Sequence, residues 1–145
     1  MNARHVLAAG LIAVAAAVPS YFAIAGDSKG PPIKSQMGVL KDGMKKLSAD
    51  LEDPKKTDAN LEAILKMQEA VHGAKQQAPQ ATSKQEKDAK EGFVKEYRQS
   101  MIELEKALLD VENAILAGDA AKAKEALQTA GGLKEPGHQK FNPRR

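Results

Sequence analysis

Apart from its carboxylates, the side chains of this 145-residue sequence that could ligate a metal are three histidines and five methionines, with no cysteine. The lack of cysteine excludes a disulfide scaffold, a Cys-ligated zinc site, an iron–sulfur cluster, a covalently attached c-type haem and a lipid-modified N-terminal cysteine. His5 falls in an N-terminal segment that reads as a secretory signal, which leaves His72 and His138. There is no H-E-x-x-H and no glycine-rich loop after a strand, so the ordinary enzyme classes find little support and the chain reads as a non-enzyme. The chemistry left is a His/Met metal or haem site inside the fold.

The elements that must position such a site follow from composition. With three Phe, two Tyr and no Trp, 42% hydrophobic content has to be built from Ala, Leu, Ile, Val and Met. That disfavours a sheet sandwich or barrel and leaves helices packed on helices. Residues 1–25 are set aside first: Arg4 precedes the apolar run Val6 to Val18, and Ala23-Ile24-Ala25 has the A-x-A form that signal peptidase cuts after. The run is stopped by Pro19 and is shorter than the ~20 residues of a spanning helix. With a single Arg ahead of it, the signal is not of the twin-arginine type, so the chain is expected to cross the membrane unfolded and to acquire any cofactor in the periplasm. Cleavage leaves a formal charge of about +2, with acidic and basic residues interspersed as on solvated helical faces. Neither a nucleic-acid partner nor membrane insertion of the mature chain is indicated.

Residues 26–30 read as a flexible leader and 31–145 as one domain of four helical patterns. Met37, Leu40, Met44, Leu47 and Leu51 recur at steps of 3 and 4, on one stripe of a helix bounded by Pro32 and Pro54. A second stripe, Ile64, Met67, Val71, Ala74 and Ala78, starts near Thr57 or Asp58 as caps and closes at Pro79. The polar segment 80–87 is the longest internal connection. The third stripe runs Val94, Tyr97, Met101, Leu104, Leu108, Val111 and Ile115 and ends at Gly118, a good C′ residue. Asp119 caps the fourth, with the stripe Ala120, Ala123, Leu127, Ala130, Lys134, His138 and Phe141. Pro136 inside it costs about 3 kcal/mol unless the helix bends, so a bend is expected between Gly131 and Gly137. Short connections and heptad-like stripes predict an all-α, antiparallel up-down-up-down four-helix bundle. The start of helix 1, the end of helix 2, the start of helix 3 and the end of helix 4 then share one end.

At 1.5 Å per residue, Met37 lies about 7 Å from a helix start at Pro32 and His138 about 6 Å before a helix end at Asn142, so the two are at nearly one depth on inward stripes. A methionine in such a stripe is ordinarily core filler, and a histidine near a helix C-terminus is favoured by the dipole alone. Lys134 reads as a lysine snorkelling past the core edge. Met44 competes with Met37 but lies about 10 Å deeper. His72 shares the depth, yet it sits one residue beyond the stripe position Val71, about 100° around the helix, which favours a flank or solvent.

The segments Met37-Gly38-Val39-Leu40-Lys41-Asp42-Gly43-Met44 and His138-Gln139-Lys140-Phe141 resemble the two axial-ligand segments of the soluble cytochrome b562 family. Those proteins are periplasmic four-helix bundles with one non-covalent haem b. The resemblance extends over the mature chain, with Met67 to Pro79 and Gly118 in register. It implies Met37 and His138 as axial ligands of one haem b per chain, and Leu40, Met44, Pro79, Tyr97 and Met101 as residues lining the haem. Tyr97 and Met101 stand where the family favours phenylalanine, and Pro136 and Gly137 depart from its pattern. Relatives with covalent haem carry Cys-x-x-Cys-His here; this chain has Lys134 and Gly137 at the cysteine positions, so no thioether forms.

Together these features predict a periplasmic electron-transfer protein. Met/His ligation leaves no open position for a substrate, and the thioether raises the potential. Its partner would be an unidentified redox protein approaching a haem edge near the surface through a small, transient interface. Lys134, Lys140, Arg144 and Arg145 could attract the propionates or an acidic partner, or serve only as solvated side chains. The rival expectation is a haem-free periplasmic bundle acting as a chaperone or adaptor.

Overall fold

A computed structural model describes residues 30–143. The expected signal peptide at 1–25, the leader up to residue 29, and Arg144 and Arg145 lie outside the described residues. Five α-helices, α1 (Ile33–Asp50), α2 (Thr57–Lys75), α3 (Lys90–Leu116), α4 (Ala120–Gly132) and α5 (Lys134–Phe141), are joined by short 3-10 turns at Pro54–Lys56, Gln80–Lys84 and Lys87–Ala89. They form the expected all-α four-helix bundle, with α4 and α5 as two segments of its fourth helix and no strand among the described residues. None of these helices is long and apolar enough to cross a membrane.

The 3-and-4 spacing places the predicted stripes in the core, where Leu47, Ile64, Met67, Val71, Leu108 and Val111 are fully buried. Each contributes roughly 1.5–3 kcal/mol by leaving water. Small residues set the helix spacing: Ala63, Ala70, Ala74, Ala107, Ala114, Ala123 and Ala130 are buried at helix contacts, and a Cβ on Gly43 would overlap the Met67 side chain. The backbones of α1 and α2 can therefore approach closely. α2 packs along both α1 and α3, and α3 along α4; α1 meets α4 over a short stretch and has at most a marginal contact with α5.

Helix ends depart from the sequence expectations in four places. Neither Thr57 nor Asp58 caps α2, because the turn Pro54–Lys56 feeds directly into it. Asp53 caps that turn through Lys55 N–H at 3.0 Å, and the Thr57 hydroxyl donates back to the Pro54 carbonyl at 2.9 Å. Second, α2 ends at Lys75, leaving Ala78 exposed, although Pro79 is buried. Third, the polar segment 80–87 is not merely a connection: Ala81 and Thr82 are buried, and their turn packs on α3 and α5. Fourth, Lys134 lies in solvent rather than along the core edge. The fourth helix breaks at Leu133, where only 3-10-type bonding to Ala130 continues (3.3 Å), and Leu133 itself is half-buried. The break falls inside the expected interval, and it leaves Pro136 in the first turn of α5. There the missing N–H has no helical acceptor to serve.

The α3–α4 turn follows expectation. Gly118 adopts φ +69°, with Gly118 N–H on Ile115 and Asp119 N–H on Ala114, the paired bonds of a Schellman motif. Asp119 then caps α4 by accepting from Lys122 N–H at 3.0 Å. That bond and the Lys122 ammonium hold the Asp119 carboxyl below its ordinary range.

Candidate functional site

Contacts between the helix ends show which of them meet. The Pro31 carbonyl, one residue ahead of the α1 N-cap, accepts from Gln77 just past α2 at 2.8 Å. Tyr97 near the start of α3 donates to the Ala74 carbonyl in the last turn of α2 at 3.1 Å. The Phe141 ring at the end of α5 stands edge-on to Phe93 and to Tyr97, each with centroids 5.3 Å apart. Lys140 pairs with Glu96 at 3.0 Å and lies over the Phe141 ring at 5.8 Å. Met37, in the second turn of α1, and His138, one turn before the end of α5, therefore belong to the same end of the bundle.

Met37 is half-buried and packs against the core cluster. His138 is half-buried as well, and its ring makes no hydrogen bond or ion pair among the described residues. Of the other residues expected around the cofactor, Leu40, Pro79, Tyr97 and Met101 are buried and Met44 is half-buried. Leu40, Met44, Tyr97 and Met101 belong to the core cluster or pack on it. Tyr97 is 3% exposed, and burial pushes its hydroxyl up to about 12.

His72 points the other way. Its side chain is 61% exposed on the α2–α3 surface, with Nε2 2.8 Å from Gln76 and Nδ1 3.9 Å from Glu105, whose carboxylate is held by Lys75. The direction expected from its offset to Val71 is thus the direction it takes. Two Glu-x-x-His spacings, Glu69 to His72 and Glu135 to His138, do stand in the sequence. They do not converge: no cluster of three or more His, Cys, Asp or Glu side chains occurs among the described residues.

Two features of this end were not legible from spacing. Gln36 and Thr82 are both buried, and Gln36 Oε1 and Thr82 Oγ1 have no hydrogen-bond partner. An unpaired buried polar atom costs roughly 1–3 kcal/mol. Their polarity marked them for solvent in any reading by hydropathy, and only the turn at Gln80–Lys84 and the α1–α2 contact bury them.

Two surface grooves lie elsewhere. One of about 420 Å³ runs between α3 and α4 past Asp110 and Thr129, and one of about 290 Å³ adjoins Leu51, Asn60 and Gly118. Neither holds a histidine or methionine. The donor set therefore remains at the Met37/His138 end. That end offers a soft thioether, an unpaired imidazole, apolar walls and a poor direct contact between α1 and α5, and these suit an inserted planar apolar group with an iron at its centre.

The family model for Cytochrome b562 matches residues 32–142, which span all five helices. Among curated proteins none matches the chain.

Proposed function

The chain belongs to the cytochrome b562 family, whose members are haem-binding electron carriers, and from that premise we propose that it is a periplasmic one-electron carrier holding one haem b non-covalently. Met37 and His138 would hold the iron, with Leu40, Met44, Pro79, Tyr97 and Met101 lining the macrocycle. One observation carries this reading. The half-buried methionine of α1 and the half-buried, unbonded histidine of α5 share one end of the bundle, while the helices that bear them barely touch.

When bound, the haem would supply one-electron redox chemistry, and with Met37 and His138 both holding the iron no position would be left for a substrate, so the chain would act as a carrier rather than an enzyme. The work of the chain is positional. Its helices would supply the Met37 thioether and the His138 imidazole to the iron, and the buried stripe would exclude water from the group. The positive charges of Lys134 and Lys140, the latter paired with Glu96, and of Arg144 and Arg145 beyond the described residues, would attract the propionates or an acidic redox partner. The segment 1–25 would direct export, and the absence of cysteine keeps the cofactor extractable.

The test is to titrate haemin into the mature, haem-free chain and record the visible spectrum. One haem per chain, a low-spin ferric spectrum and complete extraction by acid-acetone are the expected outcomes. A colourless protein that refuses haemin would instead indicate a haem-free chaperone or adaptor, and haem that stays attached through denaturing electrophoresis would remove the non-covalent assignment.

A further inference from the structure

If α1 and α5 scarcely meet, something other than their mutual packing must set the distance between Met37 and His138. We infer that the last turn of α2 and the residues just past it, acting through Gly73, Ala74 and Gln77, position both ligand helices, and that Gln77 and Gln36 form a clamp holding Met37 in place. The inference rests on the haem-binding function proposed above.

On the α1 side, the Pro31 carbonyl accepts two amides, from Gln36 Nε2 at 2.7 Å and from Gln77 Nε2 at 2.8 Å. Gln77 also reaches the Gly73 carbonyl at 3.4 Å, so one side chain spans the start of α1 and the end of α2. No side chain caps the first turn of α1 otherwise. The Gln36 amide lies flat on Gly73: a Cβ there would come within 2.9 Å of Nε2 and 3.0 Å of Oε1. With a Cβ at position 73 the Gln36 amide would have to shift from this place against α2, and Gln36 immediately precedes Met37.

On the other side, the Ala74 carbonyl accepts the Tyr97 hydroxyl, and the Tyr97 ring packs edge-on against Phe141, one turn from His138. The chain of contact from one ligand helix to the other therefore runs α1, Gln36/Gln77, Gly73-Ala74, Tyr97, Phe141, α5. Gln36 and Gln77 are positioning residues; neither is assigned to the iron.

The experiment uses the haem-loaded mature chain and measures the affinity of ferric haem for added imidazole, which must displace the Met37 thioether. A ligand that competes with Met37 reads the ratio of bound to unbound thioether even when the unbound form is too rare to see. Losing one hydrogen bond of ordinary net strength shifts such a ratio about fivefold. Gln77→Ala is expected to bind imidazole about fivefold more tightly, and Gly73→Ala to shift in the same direction by displacing Gln36. Because alanine is the better helix former, Gly73→Ala should not lower the midpoint of thermal unfolding of the haem-free chain through propensity. Leu47→Ala, at the far end of α1, serves as the control: it lowers stability more than either variant and should leave imidazole affinity unchanged.

Imidazole affinity that follows global stability across the three variants, or that stays at the wild-type value in Gln77→Ala, overturns the clamp. Amide exchange in the haem-free protein gives a second, independent readout. Gln77→Ala should speed exchange at Ser35 and Gln36, whose N–H groups bond to Pro32, and unchanged protection there counts against the clamp as well. A wild-type chain that takes up no haem while Gln77→Ala still loosens these amides overturns the haem-binding function itself.

Discussion

Replacing Tyr97 by phenylalanine should reverse the sign of its effect on stability as pH rises. The Tyr97 hydroxyl donates to the Ala74 carbonyl at 3.1 Å, but that carbonyl also accepts backbone N–H groups from Gln76 and Gln77. Removing the hydroxyl leaves no orphaned acceptor, so the loss is that of one net hydrogen bond, about 1 kcal/mol, with the edge-on packing against Phe141 kept. Burial raises the hydroxyl from 10.0 to about 12. The folded state thus favours the neutral form, which is present in both states below pH 10. Between pH 10 and pH 12 the unfolded chain releases a proton that the folded chain retains. In the middle of that interval each pH unit costs the folded state at most about 1.4 kcal/mol; the slope falls off towards both ends, so the loss is about 2 kcal/mol between pH 10 and 12 and levels off above pH 12. Wild type should be the more stable protein by about 1 kcal/mol at pH 8, equal to Tyr97→Phe at roughly pH 11, and the less stable above it. Urea denaturation of both haem-free proteins across this range measures the difference, in which the titration of the lysines cancels. A difference constant from pH 8 to 11.5 would refute the coupling between burial and ionisation.

Three further outcomes follow from the site and the core. His138→Ala should abolish tight haemin binding while leaving the far-ultraviolet circular dichroism helical, because the apolar stripes persist without the ligand. In the haem-loaded protein Met37→Ala should turn the ferric spectrum high-spin, whereas His72→Ala, altering a surface side chain, should leave it low-spin; the opposite pattern would make the site bis-histidine. Gly118→Ala places a Cβ at φ +69° and should cost about 1–2 kcal/mol in urea denaturation, with haemin affinity unchanged because the turn lies at the far end of the bundle.

Periodicity alone determined the helices and their inward faces. Val94, Tyr97, Met101, Leu108, Val111 and Ile115 are buried because a repeat of 3 and 4 leaves a single stripe that can escape water, a local property of the chain. Local chemistry likewise determined the turn at Gly118 and the cap at Asp119, since a positive φ and an orphaned N–H are needs of the segment itself. The placing of Met37 and His138 at one end of the bundle, and the outward direction of His72, followed from helix rise and angle once an antiparallel bundle was assumed. Tertiary structure decided what depends on neighbours distant in sequence. Lys134 lies in solvent because the bundle accommodates Pro136 by restarting the helix, and the new segment docks through Phe141 on Phe93 and Tyr97. Thr82 is buried because its turn is pressed between α3 and α5, and Gln36 because Gly73, 37 positions away, lacks a side chain. A polar residue carries no local mark of burial. Its environment is made by elements that meet only when the bundle closes.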